Sequence, residues 1–193
     1  MEADFTVELG ADDEKLGFPW TGGAGGPRYY DLKCHPELLP QVPEAQRRPE
    51  LAEFLSAINA SSSLLETAKC DAWASSEITV EEQIFGAVLK FGSYVDLLFS
   101  GEELRFSFSA HEQFAQRLTR LLKRVPEIPA AAEFLIRRCY FHLDDEIREG
   151  FYITFYLFGY ADEQERAQHE WAIGLKLVEN AIRQTSASWN LQK

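Results

Sequence analysis

No run of about 18 apolar residues occurs in this 193-residue sequence, so no membrane-spanning helix is expected. Cysteine is scarce: Cys34, Cys70 and Cys139 make an odd number, with no Cys-x-x-Cys pair. A buried free thiol is the ordinary meaning of Cys70 and Cys139, each inside a strand-like stretch. A reducing cytoplasm is the expected compartment. The N-terminal MEADFTVELGADDEK agrees with that, being acidic and without the basic and apolar regions of a signal peptide. Positive charge is in deficit, 19 Lys and Arg against 31 Asp and Glu, and the formal net charge of −12 repels phosphate backbones. No nucleic-acid partner and no membrane partner are expected.

Catalytic signatures are missing as well. There is no GxSxG, no SxxK, no HExxH and no dinucleotide fingerprint. The glycine-rich TGGAGGPR at 21–28 is followed by Tyr29 and Tyr30, where a phosphate loop requires Gly-Lys-Ser/Thr and a helix. It reads as a mobile hairpin or omega-like loop. Glu165 and His169 are four apart on a helix, but no third ligand is evident and Glu165 has a capping role. Cys139 and His142, three apart in a strand, fall on opposite faces and cannot pair. No metal site and no cofactor are assigned.

What is present is aromatic and alternating. In EGFYITFYLFGY (149–160), Phe151, Ile153, Phe155 and Leu157 share one parity, and Tyr152, Thr154, Tyr156, Phe158 and Tyr160 the other. Successive side chains of a strand point to opposite sides, so this strand has an apolar back and a tyrosine front. AEFLIRRCYFHL before it alternates too, with Leu135, Arg137, Cys139 and Phe141 against Phe134, Ile136, Arg138, Tyr140 and His142. The turn DDEIRE joins the two into a hairpin over about 133–160.

Further strands are expected at 4–9, at RYYDLK, at 64–74, at 85–99 and at LRFSFS (104–109), while GADDEKLGFPW reads as turn. Helices are expected from Pro49, with Leu51, Phe54, Leu55 and Ile58 on one face; from a capping box at Ser109–Glu112; and from Asp162 to about 188, with Trp171, Leu175, Val178 and Ile182 as its stripe. SSEITVEEQ fits either a hairpin connection or a helical turn. Arg117, Arg120, Lys123 and Arg124 lie opposite the second helix's apolar stripe, ordinarily a solvated face.

These elements predict a single α+β domain over 1–193. Its mostly antiparallel sheet has five to seven strands, with three main helices on one face. Helix–strand–strand recurs at 49–99 and 111–160, which suggests an internal duplication. The face opposite the helices is the candidate site. Its ligand-binding candidates are Lys69, Trp73, Lys90, Tyr94, Arg138, Tyr140, His142, Tyr152 and Tyr156. Tyrosine and tryptophan give contact area with a polar handle, and the cations can attract an anion. The leading expectation is a non-catalytic module that binds a small organic or anionic ligand or a protein partner, and forms a homo-oligomer. The alternative is a small-molecule enzyme on the same face, with Arg138 holding an anion and His142 or a tyrosine moving protons. Packing of the face under the N-terminal 30 residues is the structural alternative to both.

Overall fold

The computed structural model describes residues 1–22, 28–143 and 146–190. Most of the loop expected over 21–28, and Asp144 and Asp145 of the hairpin turn, lie outside the described residues. Six strands, β1 (Glu2–Glu8), β2 (Lys15–Phe18), β3 (Leu65–Ser75), β4 (Leu89–Phe99), β5 (Ala130–Leu143) and β6 (Glu146–Ala161), form one mixed sheet. Their spatial order is β1-β5-β6-β4-β3, with β2 also beside β5. β1 and β2 run parallel to β5 along successive halves of its length; the other pairings are antiparallel.

Three main helices, α2 (Pro49–Ile58), α4 (Phe108–Leu122) and α5 (Gln164–Asn190), lie on one face; shorter α1 (Pro43–Arg47) and α3 (Glu102–Arg105) serve as connections. Pro49 opens α2, where its missing N–H costs nothing. Leu51 and Phe54 of α2, Phe114 and Leu118 of α4, and Trp171 and Val178 of α5 meet Phe91, Val95, Phe134, Ile153, Phe155 and Leu157 of the sheet in one buried core. Full burial of each such side chain is worth about 1.5–3 kcal/mol. Gly159 permits the closest contact: a Cβ there would stand 2.2 Å from the Trp171 backbone nitrogen. The Trp171 indole N–H, drawn down onto β4, donates to Ser93 Oγ at 2.8 Å. Among the described residues, no helix is long and apolar enough to cross a membrane.

Four local expectations are corrected. GADDEKLGFPW contains β2, which forms because the second half of β5 offers a free edge beyond the end of β1. RYYDLK is not a strand; only an isolated Thr21–Arg28 bridge occurs there, and Lys33 Nζ donates instead to the carbonyls of Ala60, Ser63 and Leu65. LRFSFS is the end of α3 and the start of α4. Its N-cap is Ser107, whose Oγ accepts from the Ala110 N–H at 3.2 Å, so Ser109 and His111 lie inside the helix. The strand expected from 85 begins at Leu89, because SSEITVEEQ takes its helical-turn alternative and runs into a 3-10 turn, Glu81–Phe85.

Candidate functional site

The sheet face away from the helices divides into two regions. In the first, the chain covers itself. Leu16 and Phe18 of β2 pack in one buried cluster with Leu98, Cys139, Phe141 and Tyr152, and Trp20, Tyr29 and Phe106 pack against it. Phe18 meets Tyr29 at 4.7 Å and Phe141 at 5.8 Å, both edge-on. Arg105 pairs with Glu66 beside this cluster, and its guanidinium lies 5.2 Å from the Phe141 ring. Tyr152 is 1% exposed, so it serves as core in this region.

In the second region the rings stay half-buried: Trp73 of β3, Tyr94 of β4, and Tyr156 and Phe158 of β6 form a ladder. Centroid distances are 6.4 Å for Trp73–Tyr94, 6.0 Å for Tyr94–Tyr156 and 6.1 Å for Trp73–Phe158. The register places Tyr94 opposite Tyr156 and Gly92 opposite Phe158. Gly92 leaves room for its neighbours, since a Cβ there would meet Phe158 at 2.7 Å and Trp73 at 3.3 Å. Lys90 Nζ lies 4.9 Å from the Phe158 ring and pairs with Glu82 at 2.8 Å. Phe85 stacks on Tyr160 at 4.1 Å and closes that end.

A buried polar seam separates the two regions. Arg137 Nε donates to Glu8 at 2.7 Å, and its Nη1 to Glu14 at 3.1 Å and Thr154 at 3.2 Å. The Thr154 hydroxyl donates to Asp96 at 2.8 Å. Burial pushes the Asp96 carboxyl up to about 7, against the opposing pull of the Thr154 hydrogen bond and of Lys69. Burial also raises the Tyr94 and Tyr152 hydroxyls well above the ordinary phenol range.

The face becomes concave at its β3 edge. A register shift between Thr67 and Cys70 breaks the β3–β4 ladder there. Beside it lies a cavity of about 340 Å³ with Trp20, Tyr30 and Tyr94 among its aromatic walls, Leu32, Val42 and Leu55 as aliphatic wall, and Arg28 and Lys69 as cations. Cys70 also lines it, and burial pushes its thiol up to about 12, which keeps it protonated and poorly nucleophilic.

Lys69, Trp73, Lys90, Tyr94, Tyr152 and Tyr156 thus share the helix-free face. Arg138, Tyr140 and His142 do not, and this corrects their expected placement. Arg138 pairs in register with Phe151, Tyr140 with Glu149 and His142 with Ile147, on the parity of Phe134 and Ile136. Arg138 lies 3.8 Å from Glu149, and His142 is exposed. The cation that faces Tyr152 is Arg137, a residue of the other parity in the same Arg-Arg pair. Asp96, Thr154 and Arg28 were not among the sequence candidates; Asp96 and Thr154 carried a signal, being polar residues at the parity of Tyr94 and Tyr156.

Among the described residues, no group of three or more His, Cys, Asp or Glu side chains is placed to hold a metal ion. The chain matches no family model, no curated protein and no solved structure.

Proposed function

We propose that the chain is a non-catalytic binding module that takes a small organic ligand on its uncovered aromatic face. One observation carries this reading: the Trp73–Tyr94–Tyr156–Phe158 ladder is left half-buried while the Phe141–Tyr152 cluster of the same face is buried, and it runs through Tyr94 into a cavity of about 340 Å³. Rings held edge to edge present contact area at little entropic cost. The enzyme alternative needs Arg138 and His142 beside Tyr94 and Tyr156, and they lie on the other side of the sheet. The three cysteines are free, in keeping with a reducing cytoplasm as the proposed compartment. The direct pairing of Tyr94 with Tyr156 across the junction of the two helix–strand–strand units supports an internal duplication.

Self-association through the same ladder is the second reading, favoured by half-exposed rings that a second copy would cover. Both are tested with Tyr156→Ala. The substitution is expected to leave the fold largely intact and to weaken ligand binding, read by tryptophan fluorescence, or dimerisation, read by light scattering at several concentrations. A variant that chiefly unfolds would make Tyr156 core and overturn the reading.

A further inference from the structure

The cavity at the β3 bulge is lined by two cations, Arg28 and Lys69, and two carboxylates, Glu44 and Asp71, that do not pair with one another. Its two carboxylates already have partners. Glu44 pairs with Arg47 at 3.1 Å, and Asp71 accepts the Ala72 N–H at 2.7 Å. Its two cations have only rings. Arg28 lies 5.4 Å from the Tyr30 centroid and Lys69 5.4 Å from that of Trp20, and among the described residues neither makes an ion pair. Asp96, on which Lys69 acts from the same face, is itself buried and bonded to Thr154. In a chain where acids outnumber bases 31 to 19, two cations in one cavity that rest on rings and make no ion pair are unusual.

The walls add a second constraint. Trp20, Tyr30 and Tyr94 offer faces for a flat apolar body, and Leu32, Val42 and Leu55 give no hydrogen bonds. At about 340 Å³ the cavity is near the lower end of the roughly 300–1,000 Å³ usual for small-ligand sites, so the occupant is compact.

We propose that this cavity binds a small aromatic carboxylate, its ring between Trp20, Tyr30 and Tyr94 and its anionic group at Lys69 and Arg28. The proposal rests on the reading of the chain as a binding module and names its ligand class. A cation between a ring and an anion keeps its ring contact while gaining a charge-assisted hydrogen bond, so the preformed contacts cost the ligand nothing.

The test is calorimetric titration of the full chain with 1-naphthoate and with its uncharged twin, 1-naphthamide. Naphthoate is expected to bind at least about tenfold more tightly, the size of one charge-assisted hydrogen bond. Lys69→Met and Arg28→Met are each expected to weaken naphthoate by about the same factor and to leave naphthamide unchanged. Lys69 also acts on Asp96, so Arg28→Met, at an exposed position without that role, decides the matter if Lys69→Met fails to fold. Tyr156→Ala removes the ring that backs Tyr94 and no charge, so it is expected to weaken naphthoate and naphthamide alike and to keep the preference between them. Equal binding of the two probes would overturn the anion assignment and leave the small-ligand reading standing. Loss of naphthoate in Tyr156→Ala with full binding in Arg28→Met and Lys69→Met would move the site onto the open ladder and overturn the cavity assignment. Binding of neither probe would overturn the cavity proposal, and the ladder's self-association would then be the surviving form of the binding reading.

Discussion

The two regions of the helix-free face are built from the same residue types at the same strand parity, yet one is core and the other is surface. Phe141 and Tyr152 pack with Leu16 and Phe18 of the adjoining β2 and are 1% exposed each, whereas Phe158 and Tyr156, a few residues along the same hairpin, are half-buried. The difference is supplied from outside the hairpin. β1 carries Glu2, Asp4 and Glu8 on this side of the sheet, and β2 carries Leu16 and Phe18. Acidic side chains at an edge cannot roof a row of rings, and leucine and phenylalanine can. An aromatic face is therefore not a site in itself. It becomes one where the neighbouring strand leaves it uncovered.

The largest effect is expected where the roof is complete. Phe141→Ala should destabilise the fold by about 3–5 kcal/mol, the range for deleting a buried phenylalanine, in chemical unfolding followed by circular dichroism. Phe141 touches Phe18 and Phe106 edge-on and lies under the Arg105 guanidinium, so little can collapse into the space. A loss below about 1 kcal/mol, the scale of ordinary surface substitutions, would show that the covered region is not core and would erase the contrast.

How far the face could be read from the sequence depended on whether both parities of a strand carried a clear signal. In β4 and β6 they did. Phe91, Val95, Phe155 and Leu157 lie under the helices, and Tyr94 and Tyr156 on the far side, as the alternation predicts. In β5 the alternation was clear but its sense was not, because Phe134 and Ile136 are as apolar as Leu135, Cys139 and Phe141. Both sets are buried, one under helices and one, Cys139 and Phe141 with Leu16 and Phe18, in the cluster that Trp20, Tyr29 and Phe106 pack against. Only the register of Arg137 with Tyr152 settles which arginine faces the tyrosines, and a register is a tertiary fact. β2 gave no warning, since four residues between an acidic run and a proline have no period to detect. LRFSFS alternates like a strand, but Ser107 can cap the helix that follows it, and that local hydrogen bond wins. The cavity draws on residues from Trp20 to Tyr94, which no local pattern links.

The seam between the regions gives the next effect. Asp96 has a folded-state carboxyl raised to about 7, above the ordinary aspartate value, so the folded chain binds a proton more tightly than the unfolded chain. Stability from this group is present at low pH and is lost as pH rises from about 4 through about 7. Asp96→Asn keeps an acceptor for the Thr154 hydroxyl and cannot ionise. The variant should gain on the parent as pH rises across that window, by up to about 4 kcal/mol in total at no more than about 1.4 kcal/mol per pH unit. Unfolding of both proteins at a series of pH values measures the gap directly. A gap independent of pH would mean that the seam holds Asp96 ionised throughout, paired effectively with Arg137 and Lys69.

The smallest stability effect is expected at Phe158, the open counterpart of Phe141. Its ring meets Trp73 edge-on at 6.1 Å and lies under Lys90 at 4.9 Å, over the space that Gly92 leaves. Alanine there removes ring contacts worth about 1 kcal/mol while leaving a surface hollow that water can enter. The same change widens the gap beside Trp73, so the tryptophan emission should shift even though the unfolding midpoint barely moves. If Phe158→Ala costs as much as Phe141→Ala, the ladder is held as tightly as the covered region and has no freedom to accept a ligand. If it costs little while the emission shifts, the open region is a preformed surface whose rings the fold does not need, which is the condition for using them on something else.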